Sequence, residues 1–487
     1  MKNRWKNFLA LGLGLGFIIL LELGLRLFNF SYSRCEFDPF VSFREEVRVL
    51  VEEEKKGEKR IIINPLLKAY FNPISFTKDK AEGIKRIFIL GGSSALGFPF
   101  GEQGAFSEFL SQGLNQLDTA YSYQVINLGG FGYASYRLLR LLKEVIQYQP
   151  DLVIIMTGDN EFLEKREYEE RVRFLWIREK LAGIRIYCGL RQLVYKLVPE
   201  PKKPVLSPQI KWEHYIIEPE MKEMIIKHFQ FNLQAMAKIC QREKIPALFL
   251  TSPANLKNFP PYYSLHKKGI TERELEQWGD YLFTAEQAML EKNYELAIMA
   301  LKKALEIDPE YAYTWFLLGK AELEQGEWEK AKENFNWALE KDVWQVRTIS
   351  AFNQAVHELR GKGIWVLDLI PVFNSQSPDG IPGKNVFYDH CHPRLETHTL
   401  IAREIIRKLE EINWIKIPLD WEKSYEDKVW SYINSLPSSF LAQGYYNLAV
   451  EIGINMGLKN LAKEYLDLGL RLDPENPKLK NLKDKLK

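Results

Sequence analysis

The sequence predicts a three-layer α/β/α sandwich with a mainly parallel sheet, an inserted α-helical repeat element and an N-terminal transmembrane helix. Apolar runs alternate with helical stretches from residue 84 onward, and residues 275–345 interrupt this pattern with a 34-residue period. A third observation is that polar, glycine-rich motifs follow several of the apolar runs. Apolar runs that alternate with helices are typical of parallel strands covered on both faces.

The predicted strands are short apolar runs separated by amphipathic helices. They are Ile87–Leu90, Gln124–Leu128, Asp151–Met156, Ala247–Leu250 and Ile364–Leu369, with helices predicted near residues 106–117 and 136–149. The sandwich is expected in two parts, 84–274 and 346–412, and the helix-prone residues 162–235 could cap the site. In such sheets the active site lies at the carboxyl ends of the strands.

Composition limits the classes of protein that the chain can belong to. The 487 residues can hold two or three domains, and the net charge of +2, without any nucleic-acid-binding motif, predicts no nucleic-acid partner. The four cysteines show no CxxC spacing, which argues against a zinc ribbon or a dense disulfide framework. Their pairing is not predictable from the sequence.

The amino terminus carries a basic start, Lys2, Arg4 and Lys6, followed by the apolar run Phe8–Leu21. This pattern predicts a transmembrane signal anchor at 5–30, with the chain after about residue 32 outside the cell membrane. A cleaved signal peptide and a cytosolic amphipathic helix are the alternatives. The glycines at 12–16 follow no strand and indicate helix packing, so no nucleotide cofactor is predicted. Residues 31–83, charge-rich at 44–60, are predicted to be a linker.

The interruption at 275–345 carries the repeat. A pattern of small and apolar residues repeats after 34 positions: Ala297, Leu301, Ala304 and Pro309 correspond to Ala331, Phe335, Ala338 and Val343. Trp315, Leu318 and Gly319 stand where a tetratricopeptide repeat places Trp, Leu and Gly. The segment 413–487 shows half of the pattern again, as Ala462, Leu466, Gly469 and Pro474. The repeats could bind a protein partner or only brace the α/β domain.

Four short motifs carry the predicted chemistry: Gly91–Gly97, Asn127–Gly132, Gly158–Glu161 and Asp389–His392. Ser93, at a strand-to-helix turn, could be a nucleophile whose backbone N–H faces an oxyanion. Gly132 could offer another N–H and Asn160 a side-chain N–H. Each motif also has an ordinary interpretation, a turn for the glycines and the serine and a helix N-cap for Asn160.

The Asp389–His392 motif places a carboxylate and an imidazole three residues apart, so Asp389 could orient His392 as in a catalytic triad. His390, Cys391 and His392 also permit a metal site, but no second cluster in the sequence completes a set of four ligands. No metal is therefore predicted. His398, further along a predicted helix, is interpreted as a surface or core histidine.

Together these motifs resemble those of the SGNH/GDSL hydrolase superfamily. The resemblance covers residues 84–265 and 345–412. It is strongest to membrane-anchored prokaryotic members that carry tetratricopeptide repeats. The resemblance implies a nucleophile at Ser93, a base at His392, an orienting Asp389, and an oxyanion hole made by Ser93, Gly132 and Asn160. Two positions depart from the Gly-Asp-Ser pattern of the family. Gly92 stands in place of an aspartate, and Glu161 replaces the aspartate after the oxyanion asparagine.

The leading functional prediction is a membrane-anchored, extracytoplasmic serine esterase without a cofactor. Its predicted substrates are acyl esters, either O-acetyl groups on cell-surface carbohydrate or lipid esters. One alternative keeps the triad but passes the acyl group to a sugar hydroxyl, as an O-acyltransferase. The other is a catalytically inactive scaffold that binds a protein partner through its repeats.

Overall fold

The computed structural model describes residues 2–28, 48–55, 57–164, 181, 183–197 and 216–486. The chain forms two compact units. One spans residues 1–47 and 165–206, and the other spans 48–164 and 207–487. The parallel sheet, the repeats and all four motifs belong to the second unit.

In the first unit, one helix spans Lys2–Leu27 and another spans Arg185–Leu197. The Glu22 carboxylate accepts hydrogen bonds from the backbone N–H groups of Arg185 and Ile186, both at 3.0 Å. The first N–H groups of a helix have no partner inside it, so a carboxylate there stabilises the helix. Glu22, which interrupts the apolar run, therefore caps the second helix.

The helix over Lys2–Leu27 coincides with the predicted transmembrane segment at 5–30. Within the part of the chain that the structure describes, no helix has both the length and the apolar character needed to cross a membrane. The transmembrane part of the predicted fold, and the signal anchor with it, is therefore not supported. Cys35 lies outside the described residues.

A small antiparallel sheet stands where the sequence predicted a linker. Its strands, in spatial order, are β1 (Leu50–Lys55), β2 (Glu58–Ile63) and β3 (Ser75–Thr77). Leu50, Ile61 and Ile63 are buried, while the glutamates of β1 point to solvent. Alternation of buried and exposed residues is the pattern of a half-buried strand. Here the consecutive glutamates of β1 and the lysines that follow them hide that pattern in the sequence.

The second unit is built on a five-stranded parallel sheet with the spatial order β5-β4-β6-β7-β8. The strands are β4 (Ile84–Gly91), β5 (Ser122–Gly129), β6 (Leu152–Met156), β7 (Ala247–Leu250) and β8 (Ile364–Leu367). The predicted strands and the parallel sheet are confirmed. The next strand in the chain, β5, lies on one side of β4, and the strand after it, β6, lies on the other side of β4. The carboxyl ends beside β4 therefore border a crevice suited to a binding site.

Helices cover the sheet in two groups. Phe106–Leu117 packs against Leu395–Glu411, while Ser135–Val145 packs against Pro219–Arg242, which also contacts Ser350–His357. The crossovers β4 to β5 and β5 to β6 run in opposite directions along the sheet. Because such crossovers are right-handed, their helices lie on opposite faces, as a three-layer sandwich requires.

The long helix Pro219–Arg242 differs from the prediction of a cap over 162–235. Its buried residues include Ile225, Phe229 and Leu233, which pack into the sandwich. The end of the predicted cap is therefore a helix of the α/β layer. Residues 165–180, 182 and 198–215 of that range lie outside the described residues.

The repeat insertion consists of paired helices, as predicted. They span Glu272–Leu290, Tyr294–Ile307, Ala312–Glu324 and Trp328–Lys341. Ala297 and Ala331 are fully buried, and a Cβ added to Gly319 would lie 2.9 Å from the Phe335 ring. Small residues at these positions let adjacent helices pack closely.

The C-terminal segment is helical throughout its described length. Its helices are Trp421–Ser435, Ser438–Val450, Lys459–Leu472 and Pro477–Lys485, with a π-helical turn at Glu451–Asn455. Leu448, Ile452 and Leu466 belong to the same hydrophobic core as Ile89 of strand β4. This segment therefore packs as part of the α/β domain.

Candidate active site

Ser93 lies two residues after the end of strand β4, at the first position of a short helix over Ser93–Leu96. Gly92 before it is extended, and Gly97 ends the helix with φ +91°, a backbone conformation that favours glycine. Because the turn reverses sharply within a few residues, the serine side chain is presented at the carboxyl edge of the sheet. Only 5% of Ser93 is exposed.

His392 joins Ser93 and Asp389 in a continuous hydrogen-bond chain. Its Nε2 lies 2.8 Å from Ser93 Oγ, and its Nδ1 lies 2.6 Å from Asp389 Oδ2. The second carboxylate oxygen of Asp389 accepts the backbone N–H groups of Cys391 at 3.0 Å and His392 at 2.9 Å. The carboxylate thereby holds both the imidazole and the loop that carries it.

The electrostatics of this chain favour a charged carboxylate beside a basic imidazole. Burial alone would raise the pKa of Asp389, but the charge and hydrogen bonds of His392, with a smaller electrostatic contribution from His390, hold it below its usual range. Burial alone would lower the pKa of His392, but Asp389 raises it above the usual value. A base with this partner can take a proton from a hydroxyl at Nε2.

Asn160 follows strand β6 and lies against the turn that carries Ser93. Its Nδ2 donates to the carbonyl of Tyr133 at 3.1 Å, and a Cβ added to Gly92 would lie only 2.3 Å from that nitrogen. An amide nitrogen carries two hydrogens, so a second remains for a ligand. In the described residues no helix begins at Asn160, so the N-cap alternative does not describe it.

Gly132 lies on the loop after strand β5, one residue before the carbonyl that Asn160 binds. Its φ is +71°, and a Cβ added to it would meet nothing within 4 Å. Glycine is required there by the backbone conformation and not by crowding. Gly132, Asn160 and the Ser93 turn thus lie at the same edge of the sheet.

Glu161 has a structural task that the sequence did not reveal. It is fully buried, and its carboxylate accepts the Ser135 backbone N–H at 2.6 Å and the Ser135 hydroxyl at 3.0 Å. Ser135 begins the helix Ser135–Val145, so Glu161 caps this helix from another loop. Glutamate therefore has the reach that an aspartate in its place would lack.

Asp159 is a second buried carboxyl group that sequence reasoning missed. It accepts hydroxyl hydrogen bonds from Ser252 at 3.0 Å, Thr348 at 2.5 Å and Ser94 at 3.4 Å. Burial raises the pKa of Asp159, although these hydroxyls and His392 act against that rise. Two features of the sequence could have indicated this network: the position of Asp159 just after β6, and the Thr251–Ser252 pair just after β7. The network connects the loop of Asn160 to the segments that carry Ser94, Ser252 and Thr348.

The histidines next to the triad are buried and have lowered pKa values. Burial lowers the pKa of His390 to about 4 and that of His398 to about 3. His398 Nδ1 accepts the backbone N–H of Phe106 at 3.2 Å, so it is a core histidine. Both are therefore neutral near pH 7.

The metal alternative concerns Asp389, His390, Cys391 and His392, whose potential ligand atoms lie within 4.8 Å of one another. Both nitrogens of His392 are engaged by Asp389 and Ser93. A metal bound there would have to break that chain of hydrogen bonds. Cys391 is a buried thiol, and burial raises its pKa well above the usual value, which disfavours the thiolate that metals bind.

Two phenylalanine rings line one side of His392, and the sequence did not predict them. The Phe98 ring lies 4.5 Å from the His392 ring and 5.7 Å from the Phe131 ring, measured between centroids. Both phenylalanines are partly exposed. They give the site an apolar side next to its hydrogen-bonding groups.

Fold and site together define a doubly wound α/β protein with a hydrogen-bonded serine, histidine and aspartate at the carboxyl edge of its sheet. The chain contains tetratricopeptide repeats: models of that repeat match residues 288–342 and 442–476. The predicted repeats, including the C-terminal copy, are thereby confirmed. No curated protein matches the chain.

Several solved structures resemble the chain. A lipase/acylhydrolase from Enterococcus faecalis is 14% identical and matches 69% of this chain and 98% of its own, with a TM-score of 0.26. A GDSL-like lipase from Bacteroides thetaiotaomicron is 11% identical over 67% of this chain and 89% of its own (TM-score 0.26). The acetyl xylan esterase AlAXEase is 11% identical and matches 66% of this chain and 99% of its own, with a TM-score of 0.28. The roles of individual residues rest on the geometry above.

Proposed function

We propose that the chain is a serine ester hydrolase in which Ser93 is the nucleophile, His392 the general base and Asp389 the orienting carboxylate. One observation carries the proposal: the unbroken hydrogen-bond chain from Asp389 through His392 to Ser93. A hydroxyl is a weak nucleophile unless a neighbouring base takes its proton. This chain supplies the base and fixes its orientation.

In the first half of the reaction, Ser93 Oγ attacks the ester carbonyl and its proton passes to His392 Nε2. The imidazolium then returns this proton to the leaving alcohol, which departs and leaves an acyl-serine. In the second half, His392 takes a proton from water, the hydroxide attacks the acyl carbon, and Ser93 regains its proton. Asp389 stabilises the imidazolium in both halves without becoming protonated itself.

The negative oxygen formed in each half needs donors placed in advance. We assign the backbone N–H groups of Ser93 and Gly132 and the side-chain amide of Asn160 to this oxyanion hole. The closeness of Asn160 Nδ2 to Gly92 and to the loop of Gly132 supports the assignment. Donors fixed by the fold stabilise the transition state without the cost of reorganisation.

The substrate we favour is an ester with a small acyl group. The Phe98–Phe131 wall beside His392 suits an apolar acyl chain, and the restricted exposure of Ser93 and His392, 5% and 3%, suits a short one. Acetyl esters of carbohydrate fit this description, and lipid esters are the alternative. The extracytoplasmic location stays a prediction from the sequence.

A fluorophosphonate probe, which labels activated serines, tests the proposal. The purified full chain is expected to be labelled and to hydrolyse 4-nitrophenyl acetate, and Ser93→Ala is expected to lose both properties. Ser439→Ala, which removes an exposed serine far along the chain, is the matched control and should keep both. A folded wild-type chain with neither labelling nor turnover would refute the hydrolase.

Acyl transfer to a sugar hydroxyl is a second candidate, favoured by the deep burial of the triad. A site that admits little water slows hydrolysis of the acyl-serine and gives another acceptor time to react. In that case the probe labels Ser93, turnover of 4-nitrophenyl acetate stops after one equivalent, and added oligosaccharide restores it. Rapid turnover in water alone would exclude this alternative.

The inserted repeats expose large apolar side chains, among them Phe283, Leu290, Met299, Trp328 and Trp337. Large exposed apolar surface is a feature of many protein interaction sites. A protein partner at these repeats therefore stays a prediction beside the enzymatic proposal.

A further inference from the structure

The base loop, residues 389–392, is held by its own aspartate and by a residue from another loop. The Asp389 carboxylate accepts two backbone N–H groups of the loop, as described above. In addition, Asn255 Nδ2 donates to the carbonyl of Asp389 at 2.7 Å, and the Asn255 backbone N–H donates to the carbonyl of His390 at 3.0 Å. Two successive carbonyls of the base loop therefore depend on Asn255 for their hydrogen bonds.

The amide of Asn255 is fixed in one orientation. Asn255 lies in the loop that follows β7 and is 1% exposed. Its side-chain oxygen accepts the backbone N–H of Asn258 at 3.1 Å, while its nitrogen donates to Asp389. The carbonyl of Asp389 needs a donor, which an aliphatic or acidic side chain at this position would not supply.

A buried arginine in turn fixes the backbone of Asn255. Arg347 Nη1 donates to the carbonyl of Asn255 at 2.9 Å and to the carbonyl of Phe259 at 2.7 Å. Arg347 is 2% exposed, and its guanidinium carbon lies 5.4 Å from the centre of the Phe259 ring. That ring lies 5.4 Å from the ring of His390. Arg347 is therefore connected to the base loop by hydrogen bonds through Asn255 and by ring packing through Phe259.

The counter-charge of this arginine lies at the exit of the repeat insertion, whose last helix ends at Lys341. Asp342 Oδ2 lies 3.5 Å from Arg347 Nη2, and the Asp342 side chain is fully buried. The same carboxylate accepts the backbone N–H groups of Tyr262 at 2.8 Å and Tyr263 at 3.1 Å, which precede the insertion. A buried ion pair needs such additional hydrogen bonds to offset the loss of water. Asp342 thus joins the two ends of the insertion, and Arg347 connects this junction to Asn255.

We propose that Asn255 and Arg347 are positioning residues of the catalytic centre. Asn255 keeps the base loop at hydrogen-bonding distance from Ser93, and Arg347 acts by fixing Asn255. The inference rests on the proposed function, in which His392 Nε2 takes the proton of Ser93 Oγ across 2.8 Å. Neither positioning side chain takes part in the proton transfers. A displacement of the base by about 1 Å can lower the rate about 100-fold, so the hold on the loop has a catalytic effect.

The test compares Asn255→Ala, Arg347→Lys and the double variant with the wild-type full chain. Asn115→Ala is the matched control, because the Asn115 side chain also binds the backbone of another segment. It accepts the Tyr123 N–H at 2.8 Å and donates to the Tyr123 carbonyl at 3.0 Å, at the amino end of strand β5. For each variant, kcat and KM for 4-nitrophenyl acetate and the rate of fluorophosphonate labelling are measured, with thermal unfolding as a check of the fold.

In Asn255→Ala, kcat and the labelling rate should fall about 10- to 100-fold with KM unchanged, because the base moves while the ester-binding surface stays. Arg347→Lys keeps the charge but loses the planar set of donors, so its loss should be smaller. The double variant should lose no more kcat than Asn255→Ala, because Arg347 acts through a side chain that is already absent. Asn115→Ala should lower the melting temperature and leave kcat unchanged.

A folded Asn255→Ala with the kcat of the wild type would overturn the inference. So would a loss in the double variant equal to the product of the two single losses, since the two residues would then act independently. If Asn255→Ala does not fold, Asn255→Ser replaces it, because the serine hydroxyl is one bond too short to reach the Asp389 carbonyl, and wild-type kcat in that variant overturns the inference equally. A wild-type chain that is never labelled at Ser93 would instead refute the proposed function, so the two failures are distinguishable.

Discussion

At the residue scale, the glycine before the nucleophile is tied to the predicted oxyanion donor. A side chain on Gly92 would meet Asn160 Nδ2 at 2.3 Å, the nitrogen that also binds the carbonyl of Tyr133. The family pattern that the motifs resemble has an aspartate at this position. In this chain the space belongs to the amide of Asn160, so the departure has a steric cause.

Gly92→Ala should therefore displace the amide of Asn160 and reduce kcat for 4-nitrophenyl acetate about 100-fold, as loss of one oxyanion donor does. Asn160→Ala should lose a similar factor, and the double variant little more, because both changes remove the same contact. Gly279→Ala is the control, since a Cβ there meets nothing within 4 Å. Additive losses in the double variant would contradict the coupling.

The charge of Asp389 predicts a pH dependence. His392 must be neutral to accept a proton, and Asp389 raises its pKa above the ordinary 6.5 in spite of burial. Activity should thus rise with pH through an acid limb above that value. In Asp389→Asn the limb should move to lower pH, and kcat should fall on the order of ten-thousandfold. An acid limb in that variant at the wild-type pH would contradict the assignment of His392 as base.

At the element scale, the helix Ser135–Val145 depends on a cap from a distant loop. Glu161 binds the N–H and hydroxyl of Ser135, and Asn232 Nδ2 donates to the same hydroxyl at 3.0 Å. A helix end buried without such partners would leave donors unsatisfied. The cap also ties the loop of Asn160 to the loop that follows β5, so helix and oxyanion hole share one anchor.

Glu161→Ala should lower the free energy of unfolding by about 2 to 3 kcal/mol, because it leaves buried donors unpaired. The measurement is chemical denaturation followed by circular dichroism. Glu272→Ala, at an exposed first-turn position of another helix, should change the free energy by much less. Equal losses in the two variants would show that the buried cap has no special role.

At the scale of the whole molecule, the sandwich and the C-terminal helices share one hydrophobic core. Ile89 of strand β4 and Leu448 of the helix Ser438–Val450 belong to it, and both are fully buried. Domains that share a core are expected to unfold together. The repeat-like tail is therefore coupled to the catalytic centre in stability.

Leu448→Ala tests this coupling. The cavity should cost about 2 to 5 kcal/mol, and loss of turnover and loss of helical signal on denaturation should shift together. Leu290→Ala, at a position 78% exposed, should leave both transitions in place. A Leu448→Ala chain that loses tail structure first, while turnover persists, would show two independent units.

Sequence patterns predicted the parts of this molecule that are determined by residues close together in the sequence. The five strands, the paired repeat helices and the positions of Ser93, Asp389 and His392 follow from apolar runs and from motifs at strand ends. The small sheet at 48–77 was missed because the consecutive glutamates of β1 and the lysines that follow them hide a short alternation. Asp159 and Asn255 were missed because their partners lie far away in sequence, where only the fold brings them together.

The sequence distance between nucleophile and base has a consequence for synthesis. Ser93 and His392 are hydrogen-bonded across 299 positions, with the whole repeat insertion between them. A nascent chain that has left the ribosome only as far as the insertion presents the serine turn but no base. Such a chain is chemically silent, and so are fragments released by premature termination. The proposed hydrolytic activity can therefore begin only late in translation, after His392 has left the ribosome.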